Sequence, residues 1–294
     1  MIEVKVPATS ANLGPGFDCM GLAVKTYATF CFERLPSGLS ITGCRTQWQN
    51  ESNLVYQGFV QTIAYMKEEV PGVSISIHSE DIPEARGLGS SAVCIVAGAM
   101  AANAFFGNRL NKYEIFAICT EMEGHPDNVA PAIFGSLVVS FMDDEKPNMI
   151  RYLVHPDLRF CAMIPDYPTL TEEARAVLPT QLSYQDAIFQ MGRCAALAKG
   201  LEIGNPVIIR KACKDRMHQP YRKSLIKEYD EVDAICQKHD VLAWYISGSG
   251  STMMAIVEGD GKADALLKDV KTMYPTWKVM NLEVDRCGAQ VKEK

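Results

Sequence analysis

A strand that breaks into a glycine-rich turn and restarts at once as a buried helix restricts a fold tightly. This chain has such a stretch at Pro83-Glu84-Ala85-Arg86-Gly87-Leu88-Gly89-Ser90-Ser91-Ala92. Before it, Val73 to His78 alternates apolar and polar residues, as a half-buried strand does. After it, Ala92 to Phe106 is small, apolar and free of proline, which predicts a buried helix. Two glycines let the backbone come close to a ligand, and successive N–H groups at the helix start make a nest for phosphate. The hydroxyls of Ser90 and Ser91 suit either helix capping or a metal-bound phosphate oxygen. No lysine follows the glycines, so this is not the P-loop pattern. Arg86 is the one fixed positive charge of the turn. Taken alone, the string reads equally well as a glycine turn ahead of a capped helix.

Composition narrows the partners. At 294 residues the chain is long enough for two domains sharing a cleft. A net charge of −6 argues against nucleic acid or an anionic membrane as partner, and positive potential for a nucleotide must therefore be local. The start, Met-Ile-Glu-Val-Lys, has no apolar signal core, and Ile133 to Met142 is too short to span a bilayer. Ten cysteines are scattered through apolar segments without a Cys-x-x-Cys pair, which fits reduced thiols in a cytoplasmic protein rather than disulfides or zinc.

Two further stretches share the glycine-rich character. Pro7-Ala-Thr-Ser-Ala-Asn12-Leu-Gly14-Pro-Gly16-Phe-Asp18 follows a predicted strand at Ile2 to Val6, and its glycines and proline require a tight loop. Ser247-Gly248-Ser249-Gly250-Ser251-Thr252 lies between predicted strands at 241–246 and 252–257. Between them, Val24 to Glu33 reads as a strand and Asn53 to Met66 as a helix behind an Asn cap. Asn111 to Glu114 approximates a capping box for a helix that ends near Glu123. A carboxylate is unfavourable at a helix C-terminus unless a cation offsets it, although Glu121 meets that description equally. His125-Pro126-Asp127-Asn128 reads as a turn, with Pro126 blocking helix continuation, and its polar side chains are either a core network or a site.

The polar run from Asp143 to Asn148 suggests a boundary, dividing the chain into domains 1–150 and 151–294. Beyond it come a strand at 158–164, a helix begun by Thr169 to Arg175, and helices capped at Ser183 and Asn205. One long amphipathic helix is expected from Pro220 to Lys238, then strand, motif, strand, helix and a last strand at 279–284. The mixture is α+β.

The three glycine-rich motifs, in this order, resemble the signatures of the GHMP small-molecule kinases. Within that superfamily, Asn12-Leu-Gly-Pro-Gly-Phe-Asp18 and Glu123-Gly-His125-Pro-Asp127-Asn128 most resemble the homoserine kinase branch. The resemblance spans nearly the whole chain. It implies a two-domain fold, an N-terminal ribosomal-protein-S5-like domain followed by a C-terminal ferredoxin-like α/β sandwich, and a homodimer. It implies ATP on residues Pro83 to Ala92, with Asn53 near the adenine. It implies Mg2+ on Ser91 and Glu123, whose separation of 32 residues favours Glu123 over Glu121. The acceptor is implied to be L-homoserine, with Asp18 on its ammonium, Arg175 and Arg222 on its carboxylate and Asn128 on its hydroxyl. Asn12, His125, Asp127 and Gly248 line the same pocket, and Asn128, Asp127 and Arg175 form the catalytic set. Asn128 stands where related mevalonate kinases carry an Asp, which points to transfer without a general base. Two departures bear on nucleotide affinity: Ser251 replaces a frequent Pro, and Glu84 brings a carboxylate near the phosphate turn.

Overall fold

The computed structural model describes residues 1–294. The first part of the chain contributes β1 (Ile2–Asn12), β2 (Gly16–Leu35), β3 (Leu39–Thr42), α1 (Leu54–Tyr65) and β4 (Gly72–His78). There follow α2 (Ser90–Phe105), α3 (Lys112–Glu123), α4 (Pro126–Phe134), β5 (Leu137–Asp143) and β6 (Lys146–Tyr152). The second part holds β7 (Leu158–Ile164), α5 (Thr171–Ala176), α6 (Tyr184–Ile203), α7 (Pro206–Ala212), α8 (Gln219–Arg222) and α9 (Tyr229–Lys238). It closes with β8 (Ala243–Ile246), β9 (Met253–Glu258), α10 (Asp260–Met273), β10 (Lys278–Leu282) and β11 (Gln290–Glu293).

Two sheets organise these elements. The first runs β11-β1-β2-β4-β3, with β5 also on β2 and β6 on β5; only the β3–β4 pair is parallel. The second is antiparallel in the order β10-β7-β9-β8. That order, traced as strand, helices, two strands, helix, strand, is the split βαβ arrangement of ferredoxin-like sandwiches. Alternation explains the outer strands: β4 buries Val73, Ile75 and Ile77 and turns the residues between them outward. The helix α2 is small-residued and buried nearly all round, so it packs on both β1 and α1. One apolar core runs from the first sheet across to Phe160, Tyr245 and Ile256 of the second.

Several elements differ from the sequence reading, each for a physical reason. Residues 143–148 form the tip of the β5–β6 hairpin, where polarity reflects a solvated turn with Asp144 at φ 51. Strands of the second sheet begin after it, at Leu158, while β11 returns to pair with β1. The stretch 220–238 is not one helix. Ile226 turns inward in an extended conformation and the Lys227 N–H goes to the Tyr167 hydroxyl, so tertiary contacts break the helical ladder. Pro126 does not end a turn but opens α4 at its first position, where a missing N–H costs nothing. The short helix α5 starts at Thr171 behind Leu170, without a side-chain cap. No helix is long and apolar enough to cross a membrane.

Candidate active site

The glycine-rich turn meets the other two motifs at the seam between the sheets. Gly89 is the N-cap of α2 at φ 67, and Gly87 lies at φ 77. The backbone N–H groups of residues 87–92 donate to no acceptor in the chain. Six successive free donors at the N-terminus of a buried helix carry a partial positive charge and favour an anion. The third motif holds this turn in place. Ser247 donates its hydroxyl to the Gly87 carbonyl at 2.6 Å and shares a 2.7 Å bond with Ser10, while the Thr252 N–H reaches the Arg86 carbonyl.

Space around the turn is already used up. A Cβ on Gly87 would lie 2.1 Å from the Ser247 carbonyl oxygen, and one on Gly89 would lie 1.9 Å from Thr9 Oγ1. Gly87→Ala therefore meets fixed backbone in a conformation that already costs an L-residue about 1–2 kcal/mol. The expected result is a melting temperature lower by several degrees and loss of the upward shift that ATP gives the wild type, both read by calorimetry. A variant with wild-type melting and full response to ATP would contradict this.

Arg86 does not face the cavity. Its guanidinium donates to the carbonyls of Pro165 and Asp166 and to that of Glu84, fastening the turn to the end of β7. Positive potential at the turn thus comes from backbone dipoles, with Arg86 as a brace. The Pro83, Glu84, Leu88 and Ala92 side chains also lie outside the cavity lining, whereas Ala85, Gly87, Gly89, Ser90 and Ser91 border it. Asn53 caps α1: its Oδ1 accepts from the Val55 N–H and its Nδ2 donates to the Trp48 carbonyl. Its neighbour Leu54 reaches the cavity instead, with Ile95 and Met122 forming an apolar wall.

The separation of 32 residues is closed in space: Ser91 Oγ donates to Glu123 Oε2 at 2.7 Å. Burial raises the Glu123 carboxyl above its ordinary value, against the Ser91 hydrogen bond and the charge of His125. No lysine or arginine pairs with it, so a hard divalent cation fits the two oxygens well. Glu121 is exposed and borders a different surface hollow.

At the other end of the cavity, of about 310 Å³, the acceptor residues converge. Asn12 accepts the Asp18 N–H on Oδ1 and donates from Nδ2 to the Gly248 carbonyl. Arg175 forks onto both carboxylate oxygens of Asp18 at 3.0 Å. Arg222 is 3% exposed, and it donates to the carbonyls of Ala174 and Gly248 but to no carboxylate. Burial pulls its guanidinium down to about 10. Asp127 Oδ1 accepts from the Asn128 N–H and lies 2.5 Å from His125 Nδ1. Burial works to lower the His125 imidazole, but the bond to Asp127 and the charges of Asp127, Glu123 and Asp18 outweigh it and raise the group overall. Asn128 Oδ1 accepts the Thr9 hydroxyl at 2.8 Å, which fixes the amide with Nδ2 as its donor, in a long 3.5 Å contact with Asp127 Oδ1. Phosphate nest, paired hard oxygens and a buried unpaired guanidinium thus line one cleft, the layout for moving a phosphoryl group onto a carboxylate-bearing acceptor.

Comparison with known proteins agrees with this geometry. Residues 53–136 match the GHMP kinases N terminal domain and residues 197–276 the GHMP kinases C terminal domain. The homoserine kinase of Clostridium botulinum (strain Okra / Type B1) is 41% identical over 298 residues, spanning 100% of this chain and 99% of that protein. The chain belongs to the GHMP kinase family. The crystal structure of homoserine kinase from Cytophaga hutchinsonii ATCC 33406 superposes with a TM-score of 0.90 at 27% identity, over 99% of this chain and 97% of that one. A putative homoserine kinase from Listeria monocytogenes gives 0.84 at 28% identity, each chain covered in full. As a GHMP kinase, the protein is an ATP-dependent kinase acting on a hydroxyl group.

Some residues around the cleft escaped the sequence reading. Thr9 and Ser10 sit behind Asn128 and the glycine turn, and Thr171 borders the acceptor end. Two hydroxyl residues in the otherwise apolar end of β1 were the available signal for the first pair. Thr171 had none, since an exposed threonine at a helix start is ordinary.

Proposed function

We infer that this protein transfers the γ-phosphoryl group of ATP to the side-chain hydroxyl of L-homoserine, giving O-phospho-L-homoserine and ADP on the route to threonine. The observation that carries the acceptor is Arg222, a buried cation without an anionic partner beside the Asp18–Arg175 pair. Two carbonyls and the more distant charges of Asp18, Asp127 and Asp215 offset this buried charge only in part, so an anion brought into contact with it is favoured. An amino acid supplies that anion as its carboxylate, and its ammonium takes the Asp18 oxygens that Arg175 occupies in the unliganded protein. A sugar or a simple polyol offers neither. The names of the relatives support the same acceptor.

The free N–H groups of residues 87–92 bind the triphosphate and hold it in register. Leu54, Ile95 and Met122 give the nucleotide an apolar side. Ser91 and Glu123 hold Mg2+, which supplies neutralisation of developing phosphate charge. Asn128 Nδ2 orients the acceptor hydroxyl. Asn128 takes up no proton, and Asp127 Oδ1 is committed to His125 and the Asn128 N–H. With an amide and not a carboxylate orienting the hydroxyl, we assign the proton to the transferred phosphoryl group, and positioning carries the rate. Asp127 Oδ2, which accepts no hydrogen bond in the chain, is the rival proton acceptor. Asp127→Asn is expected to lower kcat by less than ~10²-fold, with a rise in the KM for homoserine. A general base contributes ~10²–10⁴-fold, so a loss of about 10³-fold or more at unchanged KM would assign proton removal to Asp127.

ADP release measured against homoserine, mevalonate and galactose tests the acceptor: turnover of homoserine alone is expected, and turnover of either other compound without homoserine would replace this reading. We place the enzyme in the cytoplasm as a homodimer. The exposed Tyr184, Ile188 and Met191 on one side of α6 offer a face for pairing. Sedimentation that gave only monomer at micromolar concentration would remove the dimer.

A further inference from the structure

The two acceptor arginines share a neighbour within the first motif that the cavity lining does not include. The Phe17 ring centroid lies 5.0 Å from Arg222 Cζ and 5.8 Å from Arg175 Cζ. The His218 ring stacks on Phe17, centroids 5.2 Å apart and planes inclined by 27°. His218 is fully buried, and its Nε2 donates to the Gly14 carbonyl of the first motif at 2.9 Å. Its backbone is fixed as well. The buried Asp215 carboxylate accepts the N–H groups of Met217, His218 and Gln219, together with Gln190 Nε2. Gln190 Nε2 in turn reaches the Pro15 carbonyl. A knot of buried polar contacts thus ties the first motif's loop to the short helix that carries Arg222, and Phe17 stacks on its His218.

We propose that Phe17, held by His218, is the positioning residue that makes the acceptor's carboxylate the price of admission: the ring seats both guanidiniums without taking up any of their N–H donors. An aromatic face attracts a guanidinium through its quadrupole and uses none of its donors. An acidic side chain at this place would satisfy the arginines and close the site to a carboxylate. An aliphatic one would fill the volume without orienting the planar groups. Arg222 is already tied to two carbonyls, whereas Arg175 rests on the half-exposed Asp18, so the ring matters most when Arg175 leaves Asp18 for the substrate. The role acts through the arginines and rests on the homoserine reading above.

The test compares L-homoserine with 3-amino-1-propanol, which keeps the hydroxyl and ammonium and lacks the carboxylate. Phe17→Leu, and Phe17→Met as a second apolar replacement, are expected to raise the KM for homoserine by about 5–30-fold, the equivalent of ~1–2 kcal/mol of cation–π attraction. The KM for ATP stays as in the wild type. The preference for homoserine over the amino alcohol, as a ratio of kcat/KM values, falls by the same 5–30-fold because the amino alcohol never used the arginines. Phe17→Tyr, which keeps the ring, restores the preference. A purely structural role would lower both acceptors together and leave the ratio unmoved, and that result in active Leu and Met variants would overturn the proposal. An inactive wild type on homoserine would instead overturn the acceptor reading, and this proposal with it.

Discussion

Glu123→Gln lowers kcat by about 10²–10³-fold while homoserine binding stays close to wild type. The magnitude follows from removing one preorganised electrostatic group at a phosphoryl-transfer centre, for which losses of that size are typical. The substitution keeps shape and the Ser91 hydrogen bond, because an amide oxygen still accepts from Ser91 Oγ, so it tests charge alone. Burial already raises the Glu123 carboxyl. Removing its charge therefore relieves the unliganded fold, and the variant is expected to melt at or slightly above the wild-type temperature. That pairing of lost activity with retained stability marks a group kept for function at a cost to the fold. The Mg2+ concentration giving half-maximal rate moves upward in the variant, read from initial rates in a magnesium titration. Full activity, or loss of activity accompanied by unfolding, would refute the assignment.

Arg222→Met raises the KM for homoserine by on the order of 10²-fold or more and leaves the KM for ATP unchanged. Truncating one member of a buried, hydrogen-bonded charge pair costs about 2–5 kcal/mol, and each 1.4 kcal/mol is a factor of ten. The replacement keeps most of the side-chain volume in a position that is 3% exposed, so the effect reports charge and fork geometry rather than a cavity. Arg222→Lys is expected to recover only part of the loss, since a point charge lacks the planar fork and cannot reach the carbonyls of Ala174 and Gly248 together with a carboxylate. Initial-rate kinetics with each substrate varied separately distinguish the outcomes. Equal weakening of both substrates would mean that Arg222 serves the fold of the cleft and not the acceptor.

The site was more legible in the sequence than the fold around it. The turn before α2 stands out by its glycines alone. The Ser91–Glu123 pair and the Asp18, Arg175 and Arg222 trio are named only by the resemblance to the GHMP kinases, since an arginine on a helix reads locally as a solvated face. The fold brings each set to one cavity. Periodicity also located most strands, including β7 at its observed bounds. What sequence missed depended on tertiary contacts. Arg86 is charged and sits in the phosphate turn, yet carbonyls at the end of β7 turn it away. A polar run at 143–148 marks solvent, and solvent covers a hairpin tip as readily as a domain boundary. The break in 220–238 follows from Ile226 burying itself and from the Tyr167 hydroxyl, neither of which has a local signature. Phe17 is a half-buried aromatic and His218 a buried polar ring, ordinary roles in a sequence; only their placement against two arginines gives them meaning.

A crystal structure with a non-hydrolysable ATP analogue, Mg2+ and L-homoserine bound together tests the central claim most directly. It should show the triphosphate on the N–H groups of residues 87–92, the metal against Ser91 and Glu123, and the homoserine carboxylate on Arg222 with its ammonium on Asp18. The acceptor hydroxyl should then stand within about 3.5 Å of the terminal phosphorus, the range of a near-attack arrangement. A triphosphate bound elsewhere, or homoserine lying with its carboxylate away from Arg222, would contradict it.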